Sequence, residues 1–217
     1  TAVEIMARAD VGEFRDGLRI LETLSPTPRT LALRIRCLRG LGDLRKAAAA
    51  LTEFLTAAPD ADAGGLLAPL AAEMEGQIER LRAAGRADEA KSMAVDTVEI
   101  VRQLQTWVDA DPSRAKFAAA VRFSLARMLL AAERRDEALR ALNDLMRESP
   151  DNGAYVRAAA QLHEQEAALR QGILQQREAE EAERLWALLL ADEGLRGRAP
   201  AEYWEARYHW LRHQLRR

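Results

Sequence analysis

Residues 40–60 read GLGDLRKAAAALTEFLTAAPD. Five residues after Gly42 stands Ala47, followed by Leu51, Phe54 and Leu55 at helical spacing, and the run stops at Pro59. Glycine adopts the left-handed backbone that ends one helix, the following Asp43 is a capping residue for the next, and proline blocks further extension. A small side chain at Ala47 lets two helix axes approach, while the large positions after it form a stripe facing a partner helix. The stretch therefore predicts a tight helix-turn-helix.

The pattern recurs along the chain. In residues 133–150, Glu133, Ala138, Leu142, Leu145, Met146 and Pro150 stand at the same offsets. A third copy runs Gly85, Ala90, Ala94 and Val98, and its helix continues through Val101, Leu104 and Val108 toward Pro112. A fourth has Ala182, Trp186, Leu189 and Leu190, and a degraded first copy reads Gly12, Gly17, Leu21 and Leu24 before Ser25-Pro26. Upstream of the turns lie the stripes of the first helices: Leu31, Ile35, Leu38; Leu70, Met74, Ile78, Leu81; and Phe117, Val121, Leu125, Met128, Leu129. Each hairpin leaves apolar surface for its neighbour, which is the logic of a stacked array.

This arrangement resembles the tetratricopeptide repeat family: a large residue early in the first helix, a glycine before the turn, an alanine in the second helix and a closing proline. The resemblance is strongest in residues 28–60 and 117–151. Ala47, Ala90, Ala138 and Ala182 are separated by 43, 48 and 44 residues, longer than the family's repeat of about 34. The resemblance implies an all-α solenoid of stacked antiparallel hairpins with several lengthened helices.

The expected map has eleven helices: 2–10, 13–24, 28–41, 43–57, 65–84, 86–108, 113–132, 134–148, 152–174, 177–193 and 200–216. PDADAGG, 59–65, is the one stretch with linker character, and 1–217 is assigned as a single helical-repeat domain. A start at Thr1 and a stop at Arg217 leave open that it is a piece of a longer protein.

Composition agrees with the helical reading, since alanine and leucine dominate and aromatic residues make up only 5%. With 32 basic against 34 acidic groups the net charge is −2, which gives no global field toward nucleic acid or an anionic membrane. Only Lys46, Lys91 and Lys116 are lysines, a bias toward arginine that points to a GC-rich bacterial genome. The single cysteine, Cys37, excludes an internal disulfide and is read as a small core residue. No apolar run reaches membrane-spanning length, so no membrane insertion is expected, and with no signal segment the expected compartment is cytoplasmic.

Catalytic motifs are missing from the sequence: no phosphate-binding glycine loop, no GxSxG, no HExxH. No enzyme activity, cofactor or catalytic residue is assigned. Glu205, His209 and His213 share one helical face at metal-ligand spacing, but they are read as a solvated face opposite a core-facing stripe of Trp204, Tyr208, Leu211 and Leu215, so no metal is assigned. Residues 163–184 are read as a solvated, projecting hairpin. The aromatic cluster Tyr203, Trp204, Tyr208, Trp210 and Trp186 is read as filling between the last two helices, the alternative being an uncovered docking surface.

The resemblance implies a concave groove on the first helices that receives a protein or peptide. Its candidate partner-binding residues are Arg36, Arg39, Glu75, Glu79, Arg82, Phe123 and Arg127, with Arg29, Ala32, Ala72, Ala120 and Leu130 at neighbouring groove positions. The expected function is a non-enzymatic protein-protein interaction scaffold. Two alternatives are a helical-repeat binder of nucleic acid, favoured only by the basic tail Arg207–Arg217, and an accessory domain of an enzyme whose catalytic part lies elsewhere.

Overall fold

A computed structural model describes residues 13–57 and 64–215. The chain divides into two compact units, Thr1–Val121 and Arg122–Arg217. Unit 1 contains α1 (Phe14–Leu21), α2 (Pro28–Gly40), α3 (Leu44–Ala57), α4 (Gly64–Ala83), α5 (Ala87–Asp109), a 3-10 turn (Pro112–Phe117) and the start of α6 (Ala118–Ala131). Unit 2 contains the rest of α6, then α7 (Arg135–Glu148), α8 (Gly153–Leu169), α9 (Gly172–Leu190), the short α10 (Leu195–Arg198) and α11 (Pro200–Gln214). The described residues form eleven α-helices and no strand, and α1 packs on α2, α2 on α3, α4 on α5 and α8 on α9.

Three turns share one hydrogen-bond pattern. At the end of α2 the Gly42 N–H donates to the Arg39 carbonyl at 2.8 Å and the Asp43 N–H to the Leu38 carbonyl at 3.0 Å. Gly85 and Arg86 repeat this with Arg82 and Leu81, at 2.9 Å each, and Glu133 and Arg134 with Leu130 and Leu129, at 3.0 and 2.8 Å. This paired closure satisfies the orphan carbonyls of the first helix and requires a left-handed residue at its centre. Gly42 and Gly85 both have φ +73°, and Glu133, without glycine's freedom, is held at φ +61°. Glu133→Gly is therefore expected to stabilise unit 2 by about 1 kcal/mol, read as a higher denaturant midpoint at unchanged m-value.

The second helices start by two devices. Asp43 accepts the Lys46 N–H, and that residue's ammonium and N–H hold the Asp43 carboxyl below the usual carboxylate range. At α5 and α7 the arginine after the turn reaches forward instead: Arg86 Nε to Glu89 and Arg134 Nε to Glu137, both at 2.6 Å. Acidic side chains Asp88, Glu89, Asp136 and Glu137 then sit in the first turns, where the helix dipole favours them.

The repeating alanines Ala47, Ala90, Ala138 and Ala182 are all buried. In unit 1 the core around them includes Ile35, Leu51, Leu70, Met74 and Ile78, and in unit 2 Met128, Leu142, Leu145, Leu162 and Trp186. Cys37 is fully buried beside Leu21 and Leu33 under Phe14, Leu18 and Ile20, and burial pushes its thiol pKa up. A side chain at Gly17 would stand 3.0 Å from its sulfur.

Several boundaries differ from expectation. The helix expected at 113–132 opens as a 3-10 turn, because Asp111 accepts the Ser113 N–H at 2.9 Å with Pro112 at the first position. That turn leaves Phe117, expected in the core stripe, exposed with Lys116 over its ring. The helix expected at 152–174 ends at Leu169: Arg170 and Gln171 are extended, and Gly172 turns back at φ +62° to start α9. Helix 2–10, Gly12, Pro59 and the tail residues Arg216 and Arg217 lie outside the described residues, as does all but the end of the 59–65 linker.

Candidate partner-binding surface

In unit 1, Arg39 on α2 is half-buried and joins α4 through a two-pronged contact, Nε donating to Glu73 Oε2 at 3.0 Å and Nη2 to Glu73 Oε1. The clasp fixes one first helix to the next. Arg36, one turn earlier, is exposed and has no ion-pair partner among the described residues. On α4, Glu75 is half-buried, while Glu79 is exposed and pairs within its helix with exposed Arg82 at 3.7 Å. Five of the seven candidate residues thus lie on α2 and α4, and one of these, Arg39, is committed to joining them.

In unit 2 the corresponding helices are also stitched together. The Phe123 ring of α6 is half-buried and packs on Tyr155 of α8 with centroids 4.9 Å apart, while Arg127 is exposed. From α8, Arg157 reaches Glu202 at 3.3 Å and Glu205 at 3.6 Å, and the Gln161 amide donates to Glu205 at 2.7 Å. Glu164 lies between two imidazoles, 2.8 Å from His209 Nδ1 and 2.8 Å from His213 Nε2. His163 meets Glu178 of α9 at 2.6 Å. All three histidines of the chain therefore stand against carboxylates.

These contacts overturn the expected orientation of the last helix. The Glu205, His209 and His213 face turns inward, and the stripe expected in the core is outside: Trp204 is 54% exposed, Tyr208 63%, Leu211 41% and Leu215 87%. The cause lies on α8, where Arg157, Gln161 and Glu164 offer partners that an apolar stripe cannot use. Only Trp186 of the aromatic cluster is fully buried, its ring stacked on His209 at 4.7 Å. The 163–184 hairpin is likewise not simply solvated. His163 and Glu166 are buried, Glu166 taking Arg135 at 3.4 Å and Arg170 at 2.8 Å.

Sequence reasoning missed Glu73, Arg157, Gln161 and Glu164. A faint signal existed for the last three, whose 4-and-3 spacing matches the rhythm of Glu202, Glu205, His209 and His213. Between the end of α8, the start of α9 and the end of α11 lies an open groove of about 940 Å³, lined by Glu164, Ile173, Glu180, Glu183, Arg212 and His213 among others. Among the described residues, no group of three histidine, cysteine or acidic side chains is arranged to hold a metal ion, and no helix is long and apolar enough to cross a membrane.

No family model matches the chain, and no curated protein matches it. Solved structures similar to it include one of MamA, 18% identical with a TM-score of 0.43 over 88% of this chain and 96% of that one. TTC0263, described as a thermophilic TPR protein in Thermus thermophilus, is 16% identical with a TM-score of 0.41 over 97% and 95%. The P58(IPK) TPR domain is 16% identical with a TM-score of 0.37, over 98% of this chain and 55% of its own length. The hairpins themselves, with their paired turn closures and buried alanines, make the fold tetratricopeptide-like.

Proposed function

We propose that the chain is a non-enzymatic interaction scaffold that receives a protein or peptide partner on the first helices, through α2 and α4 of unit 1, with Arg127 of α6 as a separate contact in unit 2. The observation that carries this reading is the contrast between Arg36 and Arg39. Arg39 is neutralised by Glu73 and stiffens the wall; Arg36, one turn away, keeps a free guanidinium able to take a carboxylate in two-pronged fashion. Glu75, Glu79 and Arg82 give the same wall both signs of charge, which suits a mixed-charge peptide. The net charge of −2 favours a protein partner over nucleic acid.

The test is capture of partners from an extract of the source cell. Arg36→Glu is expected to reduce capture by about tenfold or more with unchanged circular dichroism, the loss of one charge-assisted contact plus added repulsion. Arg140→Glu, at an exposed position of α7, is the control and leaves capture intact. Arg39→Glu is a poor probe, because it sets a carboxylate against Glu73 and loosens α2 from α4. Equal capture by Arg36→Glu and the parent chain rules out the α2 wall.

A further inference from the structure

Every exposed position of α11 is apolar, aromatic or arginine. Both of its acids, Glu202 and Glu205, are half-buried against Arg157. The exposed large side chains Trp204, Tyr208, Leu211 and Leu215 follow steps of four, three and four, the spacing of a heptad seam of alternating d and a positions. In that register Arg207 takes the g position and Arg212 the e position, one on each flank of the seam. Arg196, from α10, lies over the Trp204 ring at 5.7 Å and the Tyr203 ring at 5.9 Å. None of these three arginines has an ion-pair partner among the described residues, whereas Arg34, Arg45, Arg122, Arg134 and Arg157 all do.

We infer that the outer face of α11 is a docking seam for one amphipathic helix of another protein, with apolar a and d positions and glutamate or aspartate at e and g. An apolar seam of this spacing is filled by the knobs of a facing helix, and the flanking charges select the partner. With arginine on both flanks, a second copy of α11 would bring guanidinium against guanidinium, so self-pairing is selected against and an acidic helix is selected for. A helix of 15 residues is about 22 Å long and accommodates about four turns of partner. This inference stands on residues other than those of the α2 and α4 wall and does not depend on that reading.

The test uses two synthetic three-heptad peptides with leucine and isoleucine at a and d, one with glutamate and one with lysine at every e and g position. Binding to the whole chain is followed by intrinsic tryptophan emission and calorimetry, with size-exclusion light scattering of the chain alone. The glutamate peptide is expected to bind at least about tenfold more tightly than the lysine peptide, and less tightly as salt rises. The double change Arg207→Glu and Arg212→Glu is expected to invert the preference, with circular dichroism unchanged because both positions are exposed. Trp204→Ala with Leu211→Ala abolishes binding of both peptides. Equal binding of the two peptides, binding of neither, or a preference that survives the double reversal overturns the inference. So does a dimer of the chain dissolved by Trp204→Asp, which makes a second copy the occupant. Binding to phosphatidylserine vesicles with no response to the glutamate peptide overturns it too, in favour of a lipid surface.

Discussion

Trp186→Ala is expected to destabilise unit 2 by about 3–5 kcal/mol, the largest effect of any single truncation proposed for this chain. Trp186 has no exposed surface, sits on α9, and stacks on His209 of α11. Its truncation opens a cavity at the joint of two helices and removes the ring that seats the imidazole bridging to Glu164. The indole Nε1 has no hydrogen-bond partner among the described residues, so the side chain contributes by packing and not by polar contact. Trp186→Phe should accordingly cost less, since it keeps part of the stack and removes the unsatisfied N–H. Denaturant unfolding followed by circular dichroism measures both, and a Trp186→Ala midpoint equal to that of the parent chain would contradict the packing described.

Ala138→Leu should cost about 1–3 kcal/mol, and Ala47→Leu a similar amount in unit 1. Both alanines have no exposed surface, and each stands one turn into the second helix of its hairpin. The larger side chain has no space to enter, so the hairpin must splay or neighbouring Leu142 and Leu145 must leave their rotamers. Ala120→Leu, at an exposed position of α6, is the control, expected within about 0.5 kcal/mol of the parent. If the midpoint for Ala138→Leu falls with that control, the alanine register is not a packing register.

The hairpins were legible because their signals are local. A residue in the left-handed conformation, an alanine five residues on and a stripe after it lie within 18 residues, and the physics that requires them acts within the same span. Even Glu133, a poor residue for its backbone, could be placed by its surroundings. The rotation of α11 was not legible. Its sequence offers two usable faces, an apolar one and a polar one, and the choice is made by Arg157, Gln161 and Glu164, 45 residues away from the groups they meet in Glu202 and His209. In a helix between water and an ordinary apolar neighbour the aromatic face would win; against a half-buried polar ladder it does not. The same limit applies to Arg39. The tetratricopeptide resemblance implies a groove position for it, and its engagement by Glu73, 34 residues later in the chain, is a long-range contact that no local pattern announces.

The lone thiol of Cys37 gives unit 1 a built-in reporter. A sulfur sealed beneath Phe14, Leu18 and Ile20 of α1, its pKa pushed up by burial, cannot react with a thiol reagent until that helix lifts away. No second cysteine competes for the label. The rate of alkylation under native conditions therefore clocks the exposure of Cys37, and its dependence on denaturant separates a local lifting of α1 from full unfolding of the unit.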